Sequence, residues 1–332
     1  MKTWFFFLCA AALTLGCQAE PTSPPPAKGK SGSPLANAAT AYTVIDLGTL
    51  GGTTTEPVAI NNAAQIVGNS FTVGDGELHA FIWTDGALRD LGTLGGAMSA
   101  ASGINASGQV VGESTTASNE LHGFIWENGE MRDLGTLGGT TSRAWGINRW
   151  GQVVGQSTTT GGSTRAFIWQ NGAMQRLGSM ESFFARGWDI NNAGVVVGEF
   201  HRPGDRSHAF RWKAGVMKDL GTLGGPISIA LAINNAGTIL GWSRTASGAG
   251  HNFLYKDGRM TDIGSMDGSD VGPADQVVGT VTRNGNPVAA IWQNGVITQI
   301  GPGWGVGINQ SGWVIVRRNT ATGSVAELYK PS

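Results

Sequence analysis

The sequence predicts an all-β fold, a seven-bladed β-propeller of four-stranded antiparallel blades, and three observations carry that expectation. A Leu-Gly or Ile-Gly step recurs at Leu47, Leu91, Leu134, Leu177, Leu220, Ile263 and Ile300, 43 or 44 residues apart until a last interval of 37. Asp-Gly or Asn-Gly pairs recur between short apolar runs, at Asp85-Gly86, Asn128-Gly129, Asn171-Gly172, Asp257-Gly258 and Asn294-Gly295. An aromatic residue ends one apolar run per repeat, at Trp83, Trp126, Trp169, Trp212, Tyr255, Trp292 and Tyr329. A unit of this length cannot bury its apolar face alone and must stack on its neighbours.

Each unit reads as four strands, a to d. In the unit after Leu134, strand a ends at Ile147-Asn148, strand b is Gln152–Ser157, strand c is Arg165–Gln170 and strand d is Ala173–Leu177. Short runs rich in Val, Ile, Phe and Trp, divided by Gly and Asn, are strands joined by turns. The c–d pairs suit two-residue type I′ hairpins, because both central residues need positive φ; Ala214-Gly215 is the weak copy. Such hairpins set Trp126 opposite Met131 and Trp169 opposite Met174. The a–b turns carry Gly108, Gly151, Gly194, Gly237 and Gly312 at one place, as a turn closed by a left-handed glycine requires. Strand c is apolar at successive positions, which suits a strand covered on both faces. A β-solenoid is the competing repeat fold, and the hairpin turns argue against it. Met131 and Leu134 are an odd number apart, so a shared face would require a bulge or strong twist.

The termini are offset against the repeat. The chain begins with a lone strand d (Tyr42–Leu47) and stops after a strand c (Glu327–Tyr329), so pairing of the two would close the ring. A closed ring leaves no exposed sheet edge at its seam.

Ahead of the repeats, residues 1–16 read as an export signal: Met1-Lys2-Thr3, an apolar run from Trp4 to Leu15, then Gly16. Leu13-Thr14-Leu15-Gly16-Cys17 resembles a bacterial lipoprotein lipobox, which implies lipidation of Cys17; the alternative is an ordinary secretory signal cut near Ala19. Cys9 falls inside the signal, which leaves the mature protein without a disulfide. Residues 17–40 are rich in Pro, Ser and Ala and read as a tether, and 41–332 as the seven-repeat propeller. The implied location is the cell envelope or surface, with membrane contact only through the lipid anchor. A formal net charge of −1, with 14% charged residues and no basic cluster, argues against nucleic acid as a partner.

His79-Ala80-Phe81, His208-Ala209-Phe210 and the variant His122-Gly123-Phe124, with Gly-Thr-Leu-Gly-Gly and Ile-Asn-x-x-Gly segments, resemble the bacterial extracellular repeat family named for its His-Ala-Phe motif. The resemblance implies export and a repeat domain; it supplies no catalytic residues. Arg165 replaces the histidine in the unit between His122 and His208. His79, His122, His208 and His251 recur in unit after unit, as structural groups at the start of strand c would. Asp46, Asp90, Asp133, Asp219 and Asp262 read as solvated or turn-bonding, and the repeated Asn as turn formers. No metal site, cofactor or catalytic residue is called for.

Function is expected on the face carrying the d–a and b–c loops, because variable loops on a rigid scaffold are where binding resides. One sector departs most from the repeat: Ser179–Arg186 replaces the usual Gly-rich loop, and His201–Arg206 forms the b–c loop beside it. The candidate ligand site is Glu181, Phe184, Arg186, Trp188, His201, Arg202 and Asp205. Aromatic stacking beside charge suits a glycan, a peptide or a protein partner, bound by a monomer. The enzyme alternative is a polysaccharide lyase or glycosidase using Glu181, Asp205 and His201 as acid–base groups. A purely structural envelope protein is the third reading.

Overall fold

The computed structural model describes residues 35–36, 42–178, 184–201 and 206–332. It is an all-β propeller of four-stranded antiparallel blades. Four sheets each hold one unit's strands a to d; a fifth has the same four strands plus Leu35–Ala36, which lies parallel to strand d (Val296–Pro302). The expected count of seven separate blades is corrected here: five blades stand apart, and the strands of the first and last units form one eight-stranded sheet. The join is a parallel bridge between Ser324 and Thr54. Gly323 permits it, since a Cβ there would stand 2.2 Å from the Thr53 carbonyl oxygen. Counting repeats counts sequence units and does not show where one sheet's hydrogen bonding runs into the next.

Within the eight-stranded sheet, Tyr42–Asp46 runs antiparallel to Ser324–Pro331, with Tyr42 opposite Pro331 and Asp46 opposite Glu327. The chain's two ends are thereby fastened to one another by backbone hydrogen bonds.

The turns follow their residues. All six c–d pairs have positive φ at both positions, including Ala214 at 47°. Met131 faces Trp126 and Met174 faces Trp169 across these hairpins. The odd spacing of Met131 and Leu134 needs no bulge, because the two do not share a face. Met131 packs with Val67, Ile82 and Trp126 on one side of the blade, and Leu134 with Ile147, Val153 and Trp169 on the other. The core is therefore a series of layers between neighbouring units; five of the strands c bury a Phe, such as Phe124 or Phe167, and the last two, which have no Phe, bury Ala290 and Leu328.

The a–b turns lock the units to one another. Asn148 Oδ1 accepts the Trp150 and Gln152 amides, and its Nδ2 donates to Gln152 Oε1 at 2.7 Å and to the Asn191 carbonyl at 3.1 Å. Each Asn passes a bond to the next turn: Asn61 to Asn105, Asn105 to Asn148, Asn191 to Asn234, Asn234 to Gly272, and Asn309 back to Asn61. The turn-former reading is thus half of the account; these side chains also donate from unit to unit.

The repeated His and Asp prove to be partners. His79 Nδ1 meets Asp90 at 2.8 Å, and the same pair forms at His122–Asp133, His208–Asp219 and His251–Asp262. The other Asp90 oxygen accepts the Gly92 amide at 2.7 Å, so each pair ties strand c to the end of strand d and pins the following turn.

Candidate functional site

The centre of the ring is a cavity of roughly 440 Å³ walled by the innermost strands. Each strand a carries a register shift against its strand b, at Ala144/Gly146 and Gly187/Asp189 for example. Such a bulge leaves one residue unpaired and turns its side chain out of the ladder. That residue points into the cavity in every unit. It is Trp145 and Trp188 in two neighbouring units, and Val58, Ser102, Leu231, Ser269 or Val306 in the others. Small and aliphatic side chains therefore leave room, and two indoles fill one sector.

The four described members of the sequence-derived site meet in this sector. Trp188 stacks on Trp145 with ring centroids 4.3 Å apart and planes 27° from parallel. The Arg186 guanidinium lies 5.8 Å from the Trp188 ring and 4.5 Å from the Phe184 ring. Phe184 in turn sits 4.5 Å from His201. Trp145, Trp188, Arg186, Phe184 and His201 thus form one ladder of planar groups, from the cavity to the start of the b–c loop. Glu181, Arg202 and Asp205 lie outside the described residues, as does Cys17.

Arg186 is held in the ladder from both flanks. Its Nε donates to Gln156 Oε1 of the preceding unit at 2.8 Å, and Nη1 faces Glu199 Oε1 at 3.3 Å. Glu199 is buried and also accepts the Ser207 hydroxyl. The same type of clamp recurs round the rim with other partners. Arg143 Nε stands 3.0 Å from buried Glu113, and Arg317 Nη1 donates to Glu56 at 3.0 Å while covering Trp304 at 4.5 Å. Burial pushes the Glu113 carboxyl up, and the Arg143 charge pulls it part of the way back.

Three further carboxylates line the cavity, and no Lys or Arg among the described residues lies within ion-pair distance of them. Asp189 accepts the Ile190 amide at 2.7 Å and the Ile233 amide of the next unit at 2.8 Å. Burial drives its carboxyl up to about 7 despite those bonds, and the Asp270 charge adds to the rise. Asp270 repeats the arrangement one unit short of the seam, accepting Val271 and Ile308 amides, and burial raises it too. Asp267 opens to the cavity space yet is walled by protein, and that burial raises its carboxyl. Among the described residues, no group of three or more His, Cys, Asp or Glu is arranged to hold a metal ion.

Sequence reading named Trp188 but missed the other bulge residues and the two aspartates Asp189 and Asp270. The signal was present: each bulge residue stands three positions before its a–b turn, as Trp145 does before Asn148 and Trp188 before Asn191.

No protein-family model matches the chain, and no curated protein matches it. Solved structures do. The β-propeller domain of the Trilobed protease from Pyrococcus furiosus, described as having an open velcro topology, is 14% identical with a TM-score of 0.57, covering 81% of this chain and 92% of that one. Pyrococcus horikoshii acylaminoacyl peptidase is 13% identical with a TM-score of 0.54, over 82% of this chain and 50% of that one. An oligogalacturonate lyase in complex with manganese is 8% identical with a TM-score of 0.53, over 89% and 95%. At such identities the likeness is one of fold.

Proposed function

We propose that this chain is an exported binding propeller of the His-Ala-Phe repeat type, tethered to the envelope through a lipid on Cys17, that recognises a glycan or an extended peptide on its loop face. The observation that carries the binding reading is the ladder from Trp145 to His201. Its planar groups are held by ring contacts with one another, and Arg186 also by an ion pair and a hydrogen bond, so little side-chain entropy remains to be lost when a ligand stacks on them. Sugar rings and peptide planes both stack on such groups, and the flanking amide and carboxylate groups set orientation. Among the described residues the arrangement occurs in one sector, where the repeat is broken, as recognition of one ligand requires.

The hydrolase or lyase reading gains less support. Of the groups assigned to it, the described one, His201, is stacked on Phe184. Asp189, whose acidity burial perturbs, spends both oxygens on backbone amides.

A glycan and peptide array probed with the full chain tests the proposal. Phe184→Ala should abolish the strongest binding signal while leaving the melting temperature within a few degrees, because Phe184 is half-buried at the rim. Arrays that bind the Phe184→Ala protein as strongly as the original would overturn it.

A further inference from the structure

The molecule uses one pairing rule twice. Wherever a cationic side chain covers an indole near the cavity, a carboxylate holds that cation: Arg186 beside Trp188 faces Glu199, and Arg317 over Trp304 meets Glu56. An indole face attracts a cation through its quadrupole, and the attraction grows where water is thinned out. The carboxylate supplies the compensating charge.

The cavity holds the same ingredients a third time, with the cation missing. Asp189, Asp267 and Asp270 line it together with Trp145, and the described residues offer these carboxylates no Lys or Arg partner. Asp189 and Asp270 each accept a backbone amide on both oxygens, whereas the Asp267 side chain makes no hydrogen bond among the described residues and opens to the cavity. The cavity wall carries five carboxylates against one guanidinium, that of Arg317, which Glu56 already holds; such an excess of one sign in a protein-walled space focuses field lines and concentrates the opposite charge there. Burial weakens all three as acids, and a cation bound beside them would favour their ionised form.

We infer that the central cavity is a binding site for a protonated aliphatic amine, whose ammonium group is received by Asp267 and Asp270 and whose alkyl stem lies along the Trp145–Trp188 side. This rests on the binding reading above and supplies the chemistry of one ligand group. A cavity of roughly 440 Å³ accepts a small amine or the side chain of a longer ligand. An anion is excluded by the carboxylates, and a bare metal ion lacks a preformed set of ligands among the described residues.

The test uses the full chain and three four-carbon probes, n-butylammonium, n-butanol and butyrate, at pH 8, followed by tryptophan fluorescence and calorimetry. Butylammonium should bind saturably and about tenfold or more tighter than butanol, with butyrate not binding. Asp267→Asn should weaken butylammonium at least severalfold and leave the melting temperature unchanged, since Asp267 holds no structural bond. Equal binding of butanol and butylammonium, or unaltered butylammonium affinity in Asp267→Asn, overturns the inference. Comparing Nα-acetyl-lysine amide with glucosamine then shows whether the amine is carried by a side chain or a sugar. The array assay separates the two proposals. If Asp267→Asn and the original bind the array alike while butylammonium fails, only the amine site falls; if Phe184→Ala keeps array binding while butylammonium binds, only the ladder reading falls.

Discussion

The turn face and the loop face are built from the same repeat and are held together by different means. On the turn face every unit but one repeats the same Asn, which accepts the amide four residues on and donates to the next turn. On the loop face three junctions carry clamps of their own: Arg143 with Glu113, Arg186 between Gln156 and Glu199, Arg317 with Glu56. Uniform bonds serve closure, which every unit needs equally. Individual ion pairs create a surface that differs from sector to sector, and only such a surface can recognise one ligand. The break in the Asn relay is instructive. Gly272 accepts the Asn234 bond and has no side chain to pass one on, and the same unit carries Asp267 and Asp270 into the cavity.

If the loop face is held by charge, removing one charge should do the largest damage. Arg143→Met strands the Glu113 carboxylate, which is 3% exposed, and should cost about 3–5 kcal/mol at neutral pH. Urea denaturation of Arg143→Met and of Arg143→Met/Glu113→Gln checks this, because the double variant should recover much of the loss. A double variant no better than the single one would mean that the ion pair does not hold this junction.

The turn face should break more gently and in any unit. Asn148→Ala removes two accepted and two donated bonds and leaves the Asn191 carbonyl short of a partner, a cost of about 2–3 kcal/mol. The same change at Asn105 should cost the same, since its bonds are the same. A difference of more than about 1 kcal/mol between the two melts would contradict equivalence of the units.

How much of this was legible in the sequence differs between the two faces for a physical reason. Turn geometry is local: Asn128-Gly129 dictates its hairpin, and the hairpin dictates that Trp126 meets Met131. The sector of Phe184, Arg186, Trp188 and His201 was legible because it interrupts a regular beat. What could not be read depends on register between strands. The His79–Asp90 pair joins residues eleven apart that look independent until strands c and d are aligned. Trp145 enters the cavity only because a bulge turns it there, and the join at Gly323 depends on how closely two units approach.

A third test exploits the buried acid at the cavity wall. The folded state raises Asp189 from 3.8 to about 7, so the folded protein holds its proton where the unfolded chain has lost it. Stability must then rise as pH falls from about 7 toward 4, and the ionised carboxylate costs stability above that window. Asp189→Asn should remove on the order of 1–2 kcal/mol of the gain between pH 8 and pH 5, less than the full shift implies because the side chain is only part-buried. Thermal melts at the two pH values, original against variant, measure it. Equal pH dependence in the two proteins would place the Asp189 charge in water.

The smallest effect isolates the turn face from packing altogether. At the place where other a–b turns have Gly108, Gly151 or Gly194, the first has Ala64, held at φ 61°. A Cβ in the left-handed region meets its own carbonyl, at a cost of about 1 kcal/mol or more, and a glycine there loses part of that advantage through greater freedom when unfolded. Ala64→Gly should therefore stabilise the protein by about 0.5 kcal/mol, a rise of roughly a degree in melting temperature for a chain of this size. The reverse change one unit on, Gly108→Ala, should cost about 1 kcal/mol or slightly more, because its new Cβ would also press on Gln65 Oε1 at 3.1 Å, the acceptor for Asn61. If Ala64→Gly lowered the melting temperature, the first turn would be held by something other than the bonds it shares with its neighbours, and the uniformity of that face would fail at the seam where the ring closes.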